Sequence, residues 1–573
     1  MPEPHPAKTM ASAPEIVLDV WGLIAAACQD CKTQARLRGT CRTLRALLDD
    51  LKVWRSTGPD AKKGFLESVA QGRILSAQWL VDAFDLAARD VCVHANGLGL
   101  ACANGHLGVA QWLTSAFALT ADDARAYINW ALRRACADGH LTVVQWLVAT
   151  FDLTARDVRA NCDEALRYAC GNGHLGVAQW LALKFALTAV DARIFNNEAL
   201  RHACANGHLA TAQWLAETFE LTVDDARAND NWALRKACAH GHLTVVQWLV
   251  NKFELTAEDA RTVYNLTLRR ACAYGHLKIA QWLALKFALT AVDARIFNNE
   301  ALRHACANSH LATAQWLAET FELTVDDARA NDNWALRNAC ANGYLGVARW
   351  LAQRFALTAD DARASNNWAL RGSCDCSHLA TAQWLVETFE LTVDDARAGD
   401  NWALRNACTN GHLEVAQWLT QRFALTANDA RAGDNWALRG AGANGHLEVV
   451  RWLTGEFALT AEDARADDNY ALRRACAKGH LEMAQWLVKE FALTAEDVRA
   501  VSNYALRKAC AKGHLETVQW LVHSFALTVE DVCAEGCYAL RKACTNGHPA
   551  IERLIKQLWL PIGVRGSPEM LRK

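Results

Sequence analysis

Gly139-His140-Leu141-Thr142-Val143-Val144-Gln145-Trp146-Leu147 is the stretch that decides how this chain is read. It returns, with small changes, from near the beginning of the sequence almost to its end. Its Trp stands at 79, 112, 146, 180, 214, 248, 282, 316, 350, 384, 418, 452, 486 and 520, so the first interval is 33 residues and every later one 34. A fixed period of this size marks stacked repeats, in which each unit buries its apolar face only against its neighbours. A chain of 573 residues would otherwise suggest several globular domains. A stack lengthens without adding any.

Outward from that stretch, one period predicts two helices and a connector. Leu132, Ala135 and Cys136 share one face of a first helix over Trp130 to Ala137. Gly139 ends it by taking the left-handed conformation that suits glycine. Val143, Val144, Trp146, Leu147 and Phe151 form the apolar stripe of a second helix over Leu141 to Phe151. If the Trp is fully buried, its loss to Ala costs about 3–5 kcal/mol. Asn129 is placed as the N-cap of the first helix, a slot held elsewhere by Asp163, Asn197, Asn231, Asn265, Asn333, Asn401 and Asn503. In the connector Leu153-Thr154-Ala155-Arg156-Asp157, Thr154 and Asp157 have capping-box spacing. The connector Asp and Arg, such as Asp225 and Arg227, read as caps and surface ion pairs worth about 0–1 kcal/mol each.

Composition narrows the functional classes. Apolar residues make up 52% of the chain, and 60 basic residues stand against 62 acidic ones, for a net charge of -2. A protein that grips phosphates carries a basic excess, so nucleic acid is not the expected main ligand. Of 21 cysteines, thirteen recur at one repeat position, from Cys102 to Cys544. Stacked helices lie about 8–10 Å apart, beyond the reach of about 7 Å that a disulfide allows between Cα atoms. The cysteines therefore read as a ladder of small buried thiols in a reducing compartment. No signal-peptide core opens the chain, and no apolar run reaches the length of a membrane span. The expected setting is soluble and intracellular, in the cytoplasm.

The repeat resembles the ankyrin repeat. The resemblance rests on Ala-Leu-Arg-x-Ala-Cys followed by Gly-His-Leu-x-Val-Val-x-x-Leu, recurring in register over about residues 62–560. It implies an all-α, ankyrin-like solenoid of about 15 units of 34 residues. Trp130-Ala131-Leu132-Arg133 stands where that family has Thr-Pro-Leu-His, and Leu-Thr-x-x-Asp-Ala-Arg replaces its β-hairpin finger. A short helix or irregular loop is expected there.

Ahead of the array, residues 13–56 resemble an F-box, on Pro14-Glu15-Ile16, Val20, Ile24, Arg38-x-x-Cys41-Arg42-x-Leu44-Arg45 and Trp54-Arg55. That resemblance implies docking to a Skp-type adaptor through Pro14, Ile16, Val20, Ile24, Leu37 and Trp54. A helical cap that shields the first repeat is the other reading of the same residues. Residues 1–12 read as a disordered N-terminus and 561–573 as a frayed tail. The pairing of an F-box-like segment with Trp-rich ankyrin units is similar to proteins of large DNA viruses of amoebae, or of their hosts. It places such a protein in the host cytoplasm if it is viral.

No enzyme is expected. Cys136 and His140 have the spacing of zinc ligands, but the Cys faces the core and the His sits in the turn. Cys28-x-x-Cys31 lacks the strand that a redox motif needs. No catalytic, cofactor-binding or metal residue is assigned. Candidate target contacts are the positions that vary against the fixed frame: Arg134, Tyr168, His202, Lys236, Arg270, Asn338 and Lys508 after each Ala-Leu-Arg, and Tyr274 before a Gly-His. Drift at exposed sites would give the same variation. Arg473-Arg474, Lys478, Arg507-Lys508, Lys512 and Arg541-Lys542 either form a basic stripe for an acidic partner or are ordinary solvated positions. Residues 178–235 and 280–337 differ only at Gly207 against Ser309; growth by duplication suits a binding surface better than an active site. The expected function is a protein–protein interaction module that receives a target protein for a cullin–RING ubiquitin ligase. A scaffold or decoy without ubiquitination is the alternative.

Overall fold

The computed structural model describes residues 61–84, 86–87 and 97–559. The F-box-like segment, with Pro14, Ile16, Val20, Ile24, Leu37 and Trp54, lies outside the described residues, as do Cys28, Cys31 and the two termini. The chain divides into two compact units between Val263 and Tyr264. Each is a stack of helix pairs, and no strand occurs among the described residues.

In the first unit the pairs run Ala126–Ala137 with Leu141–Thr150, Ala160–Gly171 with Leu175–Phe185, and Ile194–Ala205 with Leu209–Thr218. The second unit repeats the pattern, for example Ala330–Ala341 with Leu345–Arg354 and Ala398–Thr409 with Leu413–Phe423. A four-residue connector helix, such as Ala155–Val158 or Ala359–Ala362, precedes each next pair. The connector is thus a short helix and not a hairpin finger.

The core follows the repeat pattern. Leu132, Ala135, Cys136, Val143, Val144 and Leu147 are wholly buried, as are their counterparts in later units. Small Ala and Cys on the first helix let neighbouring helices approach, and branched Val and Leu on the second fill the space between them. The cysteine ladder is buried from Cys102 to Cys510, and Cys544 in the last unit is exposed. Burial raises these thiols, to about 12 in Cys476 and Cys510, so they are not poised as nucleophiles.

The Trp column departs from expectation. Trp146 and its counterparts from 112 to 520 are only half-buried, and Trp79 is 45% exposed. Each stands edge-on to the Phe that closes its own helix, as in Trp146 with Phe151 at 5.8 Å and Trp350 with Phe355 at 5.8 Å. The indole is too large for the gap between stacked helices, which Val143 and Leu147 already fill. It covers the end of the second helix instead, so the core is aliphatic.

The Gly-His turn joins one unit to the next. His140 Nε2 meets the Ala103 carbonyl of the preceding unit at 2.9 Å, and His412 meets Asp375 in the same way at 2.9 Å. The histidine thus bonds across the repeat boundary, not within its own turn. Cys136 is buried in the helix core, so the two do not converge on a shared ligand.

The connector carboxylates also join one repeat to the next. Asp157 is 6% exposed. It accepts from Thr154 N and Oγ1 at 2.8 and 3.0 Å, completing the capping box, and from Arg125 Nε of the preceding unit at 2.8 Å. Arg329 and Asp361 repeat this in the second unit, at 2.7 and 2.9 Å. The carboxylate of each pair is buried while its guanidinium stays more than a third exposed, so solvent still screens the joint.

Candidate functional site

The surface most free to vary begins with backbone geometry. Near the start of each first-helix segment, such as Ala126–Ala137, three successive residues turn left-handed and separate the helix proper from the connector helix. Tyr127, Ile128 and Asn129 have φ of 51°, 59° and 56°; Asn331, Asp332 and Asn333 have 58°, 54° and 55°. The pattern recurs through Glu535, Gly536 and Cys537. For L-residues this costs about 1–2 kcal/mol each, so something must hold it. The fixed Arg of Ala-Leu-Arg does. Arg133 Nε donates to the Ile128 carbonyl at 2.6 Å and Nη2 to that of Tyr127 at 3.0 Å; Arg303 does the same to Asn298 and Phe297.

The third residue of the turn is the Asn slot. Its positive φ places it outside the extended geometry of an N-cap, and Asn129 Oδ1 is buried without a hydrogen-bond donor. The amide donates instead: Asn197 Nδ2 reaches Asp225 at 3.0 Å and Asn333 Nδ2 reaches Asp361 at 3.2 Å. Asp163 cannot donate when ionised. It faces Asp191 there, and burial followed by that like charge pushes its carboxyl up to about 6.

The same Arg reaches the next unit. Where the facing residue is acidic it forms an ion pair, as with Arg133 to Glu164 and Arg167 to Glu198. Where it is aromatic the guanidinium lies over the ring: Arg201 on Trp232 at 4.9 Å, Arg371 on Trp402 at 4.6 Å, Arg439 on Tyr470 at 5.2 Å and Arg473 on Tyr504 at 5.4 Å. These contacts link adjacent repeats within each unit, while the first two residues of nearly every left-handed turn are exposed.

Those tip residues are exposed and diverse. They are Tyr127-Ile128, Asn161-Cys162, Phe195-Asn196 and Asn229-Asp230 in the first unit. In the second they run from Phe297-Asn298 through Ser365-Asn366 and Gly399-Asp400 to Val501-Ser502. Ile128 is 61% exposed, and Tyr264 and Phe297 meet edge-to-face at 5.2 Å on adjacent tips of the second unit. Exposed β-branched and aromatic residues in a backbone conformation that disfavours them are displayed by the frame, not selected by it. Sequence reasoning missed this row. The signal was present: two adjacent positions change freely just before a nearly fixed Asn.

The sequence-predicted contacts lie beside the tips, on the first helices. Tyr168 and Tyr274 are exposed. Arg134, His202, Lys236, Arg270, Asn338 and Lys508 are half-buried. Several have partners within the stack: Arg134 pairs with Asp138 at 3.3 Å, His202 lies against Trp232 at 5.1 Å, Lys236 lies over that same ring, and Asn338 donates to the Trp334 carbonyl. The position before Gly-His is structural wherever it is Asn, since Asn172 donates to the Ala137 carbonyl and Asn342 to that of Ala307. Among the described residues no three His, Cys, Asp or Glu side chains converge as a metal-ion site, and no helix is long and apolar enough to cross a membrane.

Within each unit, helix pairs stacked in register form an all-α repeat solenoid whose variable residues recur at the same repeat positions. Family models for ankyrin repeats match this chain, those described as three copies over residues 166–259, 436–531 and 472–558 and those described as many copies over 132–182. The chain contains ankyrin repeats, and its fold is that of an ankyrin-repeat solenoid. Such repeats form protein–protein interaction modules and are typically non-enzymatic scaffolds. An X-ray structure of an ankyrin repeat family protein from Legionella pneumophila aligns at 18% identity, over 48% of this chain and 86% of that one, with a TM-score of 0.23. No curated protein matches the chain.

Proposed function

We propose that this protein is a cytoplasmic receptor that holds a target protein on its left-handed tips and first helices and presents it to a ubiquitin ligase of the cullin–RING type. One observation carries the binding half: chemically diverse, solvent-facing tip pairs stand on a frame that repeats almost without change. Tyr168, Tyr274 and the neighbouring Arg134, His202, Lys236, Arg270, Asn338 and Lys508 extend that row along the helices. The ligase half rests on the F-box-like residues Pro14, Ile16, Val20, Ile24, Leu37 and Trp54, which would engage a Skp-type adaptor.

Co-purification of a Skp-type adaptor with the intact chain and with a chain lacking residues 1–58 separates the two halves. The adaptor is expected with the intact chain only, and the target with both. Retention of the target without adaptor binding by either form would leave a plain scaffold and remove the ligase role.

A further inference from the structure

The first helices opening at Tyr470 and Tyr504 carry three cations each, more than those of any other repeat, and the one opening at Tyr538 carries two. These segments read Tyr470-Ala-Leu-Arg-Arg-Ala-Cys-Ala-Lys478, Tyr504-Ala-Leu-Arg-Lys-Ala-Cys-Ala-Lys512 and Tyr538-Ala-Leu-Arg-Lys-Ala-Cys-Thr-Asn546, with no carboxylate in any of them. In each, the first Arg is spent on the left-handed turn, as Arg473 donates to the Asp468 and Asp467 carbonyls. Arg474, Lys478, Lys508, Lys512 and Lys542 remain, and among the described residues none forms an ion pair with a carboxylate. An earlier repeat shows the contrast. Arg134 occupies the slot of Arg474, but Asp138 occupies that of Lys478 and pairs with it at 3.3 Å.

The cations are positioned. Arg474 Nη1 donates to the Tyr504 hydroxyl at 2.8 Å, and Lys508 Nζ donates to that of Tyr538 at 3.1 Å. Arg474 also lies over the Tyr470 ring at 5.2 Å, and Lys508 over Tyr504 at 5.6 Å. A phenol that accepts from a cation keeps its own proton for an incoming acceptor. Two clusters result, Arg474 with Tyr504 and Lys508 with Tyr538, and Lys478 and Lys512 follow one helical turn further on, Lys478 Nζ donating to Asn444 Oδ1 at 2.6 Å. Each cluster, with the lysine that follows it, offers two positive charges and one hydroxyl donor, the complement of a carboxylate.

We infer that this face binds an extended acidic segment of a protein partner, with a carboxylate at about every third residue. The inference rests on the reading of the first-helix row as a binding face. Stacked helices are about 10 Å apart, and a chain in the polyproline II conformation advances about 3.1 Å per residue with three residues per turn, so side chains three residues apart share one face and span one repeat. A continuous polyanion such as nucleic acid fits less well. Asp467 and Asp468 stand exposed on the tip before Tyr470, and Glu535 on the tip before Tyr538. They repel an unbroken run of phosphates but can lie between spaced carboxylates.

The test is fluorescence anisotropy on the full chain with a short labelled peptide carrying Glu at every third position in a Gly/Ser background. Binding is expected to weaken with salt and to fall at least about tenfold in the Lys508→Glu/Lys512→Glu variant. Lys184→Glu, exposed on the second helix Leu175–Phe185, is expected to leave it unchanged. An isomeric peptide with contiguous glutamates is expected to bind less tightly. Equal binding by the variants, equal binding of the two peptides, or tighter binding of an oligothymidylate of matched charge overturns the inference. Lys512→Glu alone, at an exposed turn, supplies a second reading if the double variant folds poorly. Capture of a target by a chain that ignores the spaced peptide would remove this inference alone; failure to capture any target would strike the reading beneath it.

Discussion

The imidazole of His242 rests on Gly207 of the preceding repeat so closely that a Cβ on the glycine would stand 2.6 Å from Nδ1. Gly207 also has φ of 81°, a conformation that costs an L-residue free energy whatever the space around it. The glycine is therefore required twice, for its backbone and for the ring above it.

Substitution at this joint should act in opposite directions in the two duplicated segments. Gly207→Ser adds an atom beneath His242 and is expected to destabilise its unit by about 2–4 kcal/mol, the sum of backbone strain and overpacking. Ser309 occupies the equivalent position at φ 65°, and the ring slot of the following repeat holds Tyr344. Ser309→Gly relieves the strain and is expected to stabilise by about 1 kcal/mol. Hydrogen exchange of the flanking helices reads both locally, which suits a stack that need not unfold as one.

Asp163 stands where most other repeats hold Asn, opposite Asp191. Its carboxyl is raised from 3.8 to about 6, so between those values the folded state holds a proton that the unfolded state has lost, and stability falls as pH rises through the window. Asp163→Asn is expected to stabilise the protein by about 1–3 kcal/mol at pH 7.5, because the amide can donate where the carboxylate cannot. The gain should shrink towards zero near pH 4. Denaturant midpoints of the variant and parent at the two pH values check this.

The histidine column predicts an acid-side weakness. Burial, with help from neighbouring cations, lowers the pKa of His208, His310, His446, His480 and His514 below 6.5. For a group whose folded pKa is depressed, stability is complete above the unfolded value and is lost as pH falls through the folded one. The midpoint should begin to fall just below pH 6.5. That is well before the connector carboxylates titrate: Asp429, held down to about 2 chiefly by Arg397 against the opposing effect of burial, keeps its contribution until far lower pH. His480→Tyr places in this slot the side chain that Tyr344 supplies in its own repeat. It removes one titrating ring and should blunt the fall.

The half-buried Trp column reverses an energetic expectation. Trp146→Ala should cost about 1–3 kcal/mol, less than the about 2–5 kcal/mol of Leu147→Ala, whose side chain is wholly enclosed. Denaturant titration of the two variants ranks them. A larger loss for the Trp variant would return the indole to the core.

Much of this was legible in the sequence. The period, both helices, the buried cysteines, the Thr-Asp caps and the short connector helix follow from apolar spacing and from residue types that suit one local geometry. What was not legible depends on contacts one repeat away. Nothing in Arg133 says that it clamps Ile128 behind it and Glu164 ahead. Nothing in Asn129 distinguishes a cap from a left-handed residue, since Asn suits both. The Trp misled because size was read as burial. The tips were overlooked because β-branched and aromatic residues there, Ile128 and Val501 among them, contradict the local preference that a sequence reading relies on.

The central claim is that a target is held by the tips and first helices. The strongest rival surface is on the second helices, where Leu183 is 87% exposed. A photo-crosslinking residue placed at Phe195 or Tyr168, and separately at Leu183, in the full chain and irradiated with the captured target, decides between them. Crosslinks from Phe195 and Tyr168 with none from Leu183 are the predicted result. Crosslinks from Leu183 alone would contradict the claim.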